Sequence, residues 1–190
     1  MKNPILALML CTVLPVPAAD PATAAALDTK AAAGSFARQP TVSMDRSFLK
    51  PTAGRVYDAD RQFVVETKED GTITEMPYVV IPILFVKDSD QLLDDQSRSN
   101  VGKLAALLKS SAFATAKFEV EGHTCSDGSD EHNDKLSELR AAKLLGALKA
   151  AGVEESRLSA KGFGERAPAV PNDSETNKQE NRRVVVVRRS

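Results

Sequence analysis

The sequence predicts an α+β fold: a two-layer β-α-β-α-β-β domain, with helices packed on one face of a mixed sheet, preceded by a short hairpin extension. Three observations predict it. Apolar residues recur with helical period at Val101, Leu104, Ala105 and Leu108, and again at Ala141, Leu144, Leu145 and Leu148. Short strand-like runs at 78–85, 117–122, 157–163 and 183–188 alternate with those helices, an order that places helices against a sheet. An Asp70-Gly71 pair between two β-rich runs, 62–66 and 72–76, marks a hairpin.

Taken in order, residues 1–18 read as a secretory signal. Lys2 precedes an apolar run from Ile5 to Val16, and Val16-Pro17-Ala18 supplies small residues before a cut. Leu8-Met9-Leu10 before Cys11 are bulkier than a lipidation site wants, which makes a lipid anchor at Cys11 the lesser reading; a cut near Ala18 removes Cys11 and leaves Cys125 as the single mature cysteine, with no internal disulfide. Residues 19–54 are expected to form an Ala-rich linker or irregular arm, with Phe36, Phe48 and Leu49 as docking points. The hairpin extension occupies 55–76 and the main domain 77–190.

Within that domain the first strand, 78–85, is almost continuously apolar, as in a strand covered on both faces. Pro82 argues for an edge or a bulge there. Asp94-Asp95 can cap the next helix. Phe118, Val120 and Gly122 alternate with charged residues, a half-buried strand. The second helix is placed at about 133–151, ended by Gly152. A short third strand follows, then a polar loop over 168–181, then a last strand. The first two strands are expected to run parallel through a right-handed crossover.

Composition narrows the function classes. The 25 basic residues less Lys2 leave 24 against 26 acidic, a formal net charge of about −2 in the mature chain. Nucleic-acid binding would need a clustered basic face, and none is evident. No apolar window long enough for a transmembrane helix occurs after the signal.

The stretch Glu121-Gly122-His123-Thr124-Cys125-Ser126-Asp127-Gly128 reads as a strand end and polar loop. Ligands bind beyond the carboxyl ends of strands in such sheets. Asn133 and Arg140 lie seven residues apart, two helical turns, on a side distinct from Leu144 and Leu148. Arginine forms bidentate pairs with carboxylates. By spacing alone, Arg140 could equally cap the local acids Asp127, Asp130, Glu131 and Asp134.

Gly122-His123-Thr124, Gly128, Asn133, Leu136-Ser137, Arg140-Ala141, Gly162-Phe163-Gly164 and Asn181-Arg182-Arg183-Val184 occur in this order and spacing. The pattern resembles the OmpA-like peptidoglycan-binding domains (OmpA/MotB C-terminal, Pal-type) over roughly 78–189. The resemblance implies a non-catalytic protein of the periplasm and cell envelope, associated with the outer membrane. It implies no cofactor or metal, and peptidoglycan as partner, held through the diaminopimelate residue of the stem peptide. An outer-membrane or envelope protein is a further partner class. The resemblance also implies site roles: Arg140 on the ligand carboxylate, with Thr124, Asn133, Arg182 and Asp88 shaping the pocket. Cys125 stands where the family has the Asp that takes the ligand ammonium. A thiol carries little charge at neutral pH and accepts hydrogen bonds weakly. Either Asp127, two residues on, supplies the missing carboxylate, or the pocket reads another stem-peptide residue or binds weakly. In the alternative reading the protein is a structural or interaction protein whose N-terminal region binds a partner.

Other chemistry fits less well. His123, Cys125 and His132 would be an incomplete metal set. A Cys–His hydrolase would need oxyanion elements that the sequence does not assemble.

Overall fold

The computed structural model describes residues 24–39 and 54–189. The signal segment, Cys11, Phe48 and Leu49 lie outside them. The elements in order are α1 (Thr29–Ala37), β1 (Gly54–Asp58), β2 (Phe63–Thr67), β3 (Ile73–Ile81), α2 (Asp95–Leu108), β4 (Phe118–Gly122), α3 (Asp130–Ala150), β5 (Leu158–Gly162), α4 (Glu175–Asn181) and β6 (Val184–Arg188). They build one six-stranded sheet in the order β1-β2-β3-β6-β4-β5. Only β4 and β5 pair in parallel; the other neighbours are antiparallel, so the sheet is mixed, as expected.

Several elements differ from the expectation. β3 and β4 do run the same way, but β6 lies between them and pairs with both. Valine-rich β6, buried from Val184 to Val187, takes the central position because it can be covered on both faces. The hairpin is not a separate unit either. Asp70-Gly71 makes the turn, with Gly71 at φ 80 and Gly71 N–H donating to Lys68 O at 3.0 Å. But the hairpin's second strand runs on without a break into the first strand of the domain. The Ile73–Pro77 half of β3 pairs with β2 and the Tyr78–Ile81 half with β6. The 76/77 boundary therefore falls inside one strand. β1 adds a third strand, and the strand expected to reach 85 stops at Ile81, before Pro82. α3 begins at Asp130, capped by Ser129, rather than at 133. The polar loop of 168–181 contains α4, capped by Ser174.

The described part of the arm, 24–39, is also more ordered than its composition implies. α1 buries Ala32 and Phe36, and Leu27 precedes it in the core. Phe36 packs edge-on against Phe113 and Phe118. Asn100 of α2 fixes the segment: its Oδ1 accepts from Leu27 N, and its Nδ2 donates to Ala25 O and Pro82 O. Alanine alone would barely sustain such a short helix; the tertiary contacts stabilise it.

The apolar core lies between the helices and one face of β3, β4 and β6. The second face is covered by the β1–β2 ribbon and by Phe163 and Ala167. The ribbon folds back over the sheet, which brings Arg55 of β1 against Glu119 and Glu121 of β4.

Candidate functional site

Beyond the carboxyl ends of β3 and β4 a cavity of about 450 Å³ opens. Asp88, Thr124, Cys125, Asp127, Asn133, Arg140 and Arg182, the seven residues expected from sequence, all line it. So do Lys87, Glu175 and Gln179, which the sequence does not single out, and His132, which it offers only as a metal ligand. Glu175 and Gln179 of α4 and its C-cap Arg182 are spaced i, i+4, i+7; that spacing is the available signal.

Glycines let α3 press against the strand ends. A Cβ at Gly122 would stand 2.1 Å from Ser137 O, and one at Gly162 would stand 2.5 Å from Glu138 N. Ser137, fully buried, donates to Asp134 O and accepts from Gly164 N–H at 2.9 Å. α3 thus packs backbone against backbone on the ends of β4 and β5.

The asparagines hold loops. The Asn133 Nδ2 amide donates towards Cys125 O, Asp127 O and Glu165 Oε2, at 3.2, 3.0 and 2.6 Å. Two hydrogens spread over three acceptors leave little for a ligand. Asn181 accepts from Ala169 N and Val170 N and donates to Val170 O and Asn172 Oδ1. Asn172 Oδ1 in turn accepts from Ser126 N–H at 3.3 Å. The loop 125–128 is therefore tied from both sides.

Arg140 behaves differently. It is only 7% exposed. Its Nε donates to Ser89 O at 3.1 Å, and its guanidinium lies 4.9 Å from the centre of the Phe85 ring. It makes no ion pair with any described residue, so it does not cap the local acids. Burial holds its proton affinity below the ordinary arginine value, with the Asp88 carboxylate acting in the opposite direction. A guanidinium remains charged under these conditions. Thr124, in the same lining, has its hydroxyl buried without a hydrogen-bond partner.

The remaining predicted residues are engaged. Cys125 Sγ accepts from Arg182 Nη1 at 3.4 Å. Arg182 also binds Gln179 Oε1 and pairs with Glu175. Asp127 Oδ1 takes the Lys178 ammonium at 2.6 Å, and that hydrogen bond keeps its carboxyl below the usual carboxylate range. In this structure Asp127 is paired with Lys178 of α4 while it lines the cavity. Asp88, at φ 52, lies with Oδ1 3.7 Å from His132 Nε2.

His123 belongs to another place. It is 1% exposed on the second face, stacked on Phe163 and edge-on to Tyr57. Burial, then Arg183 and Arg55, hold it well below the ordinary histidine value, and so neutral. It cannot join Cys125 and His132 at one metal, because those two line the cavity. Next to it, fully buried Glu121 pairs with Arg55 at 2.6 Å, a contact the N–H does not point along. Tyr57 donates its hydroxyl to the same carboxylate.

The mixed sheet with helices on one face, and a polar cavity beyond two strand ends, is the architecture of OmpA-like domains. The chain belongs to the OmpA family, whose model matches residues 84–182, just over half of it. It is 33% identical over 105 residues to the outer-membrane lipoprotein YfiB of Pseudomonas aeruginosa, covering 55% of this chain and 61% of that protein. It is 37% identical over 75 residues to the peptidoglycan-associated lipoprotein of Haemophilus influenzae, covering 40% of this chain and 49% of that one. The chain thus spans less than two thirds of either relative. The crystal structure of the peptidoglycan-associated lipoprotein from Burkholderia pseudomallei superposes with a TM-score of 0.51 at 26% identity, over 56% of this chain and 88% of that one. Among the described residues no helix is long and apolar enough to cross a membrane.

Proposed function

We propose that this protein is a non-catalytic component of the cell envelope that holds peptidoglycan by a stem-peptide carboxylate, the diaminopimelate residue being the ligand. One observation carries the reading: Arg140, nearly excluded from solvent, lines the cavity without an acid partner among the described residues. An uncompensated buried charge is costly, and a carboxylate ligand would offset that cost with a charge-assisted pair. The names of two similar proteins, both peptidoglycan-associated lipoproteins, support the same ligand. Lipoprotein relatives assigned to the outer membrane support a place in the periplasm near that membrane.

Sedimentation with purified sacculi tests it. The wild-type chain co-sediments and Arg140→Ala stays in the supernatant; equal sedimentation of the two would refute the proposal. Sacculi carrying diaminopimelate should retain more protein than sacculi carrying lysine at the same stem position.

A further inference from the structure

The β1–β2 ribbon is held to the domain from outside its main core. That core contains no residue of β1 or β2, and none lines the cavity around Arg140. Tyr57 and Val64 of the ribbon pack instead on Tyr78, Val185 and Val187, in the separate cluster of the second face. One end of the ribbon is tied through backbone. Tyr78 N–H donates to Gln62 O at 2.9 Å, and Arg38 Nη1 to Arg61 O at 2.7 Å. The other end is tied by charge. Arg55 pairs with Glu119 and Glu121 of β4, and Glu66 of β2 with Arg189. β3 changes partner between Pro77 and Tyr78, from β2 to β6, and that step is a pivot between the two bodies.

The charged end is not balanced. Arg55 and Arg183, both buried, act on one fully buried acid, Glu121, whose carboxylate also accepts from the Tyr57 hydroxyl. Glu119 and Arg189 complete the surround of that carboxylate. His123 stands beside it. Tyr57 meets the imidazole edge-on, Phe163 stacks on it, and Glu121 Oε2 lies 3.8 Å from Nε2. Lys161 lies over the same Phe163 ring, and the Arg183 guanidinium over Tyr57. A proton on His123 would therefore add a third cation to Arg55 and Arg183, with the facing acid already shared.

We propose that the ribbon is an acid-released strap: protonation of His123 frees β1 and β2 from the second face, pivoting at Pro77, while the main core and the cavity keep their form. Release uncovers Tyr78, Val185 and Val187, apolar neighbours on β3 and β6. With the strap closed, burial, then Arg183 and Arg55, hold His123 well below its ordinary value of 6.5; released into water, it returns towards that value. The closed form is therefore favoured above about pH 6.5 and loses up to about tenfold in population ratio for each pH unit below it. Glu121 acts in the opposite direction, because burial raises it, but its ordinary value of 4.5 lies below that of histidine, so His123 responds first as pH falls.

The chain carries its own probe. It has 2 tyrosines and no tryptophan, and both tyrosines, Tyr57 and Tyr78, lie buried between strap and sheet, their rings 5.5 Å apart. Tyrosine fluorescence therefore reads this interface alone. Acrylamide quenching of the full chain is measured at about pH 7.5 and about pH 5.5, with far-UV circular dichroism alongside. Quenching of the wild-type chain rises at the lower pH, following a released-to-closed ratio that grows about tenfold between pH 6.5 and 5.5, and the circular dichroism is unchanged. His123→Phe keeps the ring on Phe163 and holds its quenching at the pH 7.5 level throughout. The proposal is overturned if wild-type quenching is the same at both pH values, if it rises only together with loss of the circular dichroism signal, or if His123→Phe shows the same rise. Should that variant fail to fold, the wild-type pair of measurements decides alone.

Discussion

Arg140 and Arg55 are almost equally hidden, at 7% residue and 6% side-chain exposure, yet they do opposite things. Arg55 is surrounded by acids: Glu66, Glu119 and Glu121 all lie within ion-pair distance. It fastens the β1–β2 ribbon over the second face of the sheet, and its guanidinium also lies 5.0 Å from the centre of the Phe163 ring. Arg140 has an aromatic face as well, but no acid. A buried arginine with its acids supplied by the fold is structural; one whose acid is missing marks the place where a ligand completes the structure.

That contrast can be broken by experiment. Arg55→Ala leaves Glu121 buried without its cation and should cost about 3–5 kcal/mol in urea unfolding, while any folded fraction still binds sacculi. Arg140→Ala should do the reverse. Affinity for sacculi falls by one to two orders of magnitude, corresponding to about 1.5–3 kcal/mol for a charged hydrogen bond, with a smaller change in unfolding free energy. If both variants lose stability alike, the distinction between the two arginines is void.

The histidine beside the Arg55 cluster gives a finer test. His123 is held neutral in the fold, so the unfolded chain binds more protons below about pH 6.5, and stability falls as pH drops through that value. Glu121, raised by burial against the pull of Arg55, contributes in the opposite direction. His123→Phe keeps the stacking on Phe163 and should reduce the slope of stability between pH 5 and 6.5 by up to about 1.4 kcal/mol per pH unit. An unchanged slope in parallel urea titrations would mean that His123 does not report on this cluster. The smallest effect is expected at Arg166, which pairs with Asp134 in the open, at 59% side-chain exposure. Arg166→Ala should cost less than about 1 kcal/mol and leave sacculus binding intact, showing that neither an acid partner nor a positive charge matters without burial.

The sequence carried the cavity better than it carried the sheet. Arg140, Asn133 and Thr124 are local to one strand-loop-helix stretch, so period and spacing bring them together. Arg182 and Asp88 come from distant segments and were placed by the family pattern alone. The partner of Asp127, Lys178, is 51 residues further along, on a helix inside a polar loop, and no local pattern announces that pairing. The second-face cluster left no local trace. Arg55 and Tyr57 reach Glu121 across 64 to 66 residues only because the ribbon bends back. The same holds for β6: nothing in its four valines says that it will separate β3 from β4. The α1 segment reads as loose because it holds few large apolar residues, and Asn100 on another helix fixes the residues just before it.

The central place of β6 also bears on how the domain is made. Until Val184–Arg188 are available, β3 with the ribbon and β4 with β5 are two separate pieces with unpaired edges facing each other. Pairings so distant in sequence close slowly, and open strand edges invite wrong partners. A chain emerging N-terminus first cannot finish its sheet, or assemble the wall beside Arg182, until that strand has been delivered. Folding is therefore a single late event, and a nascent chain arrested before β6 would be a substrate for chaperones rather than a weaker binder.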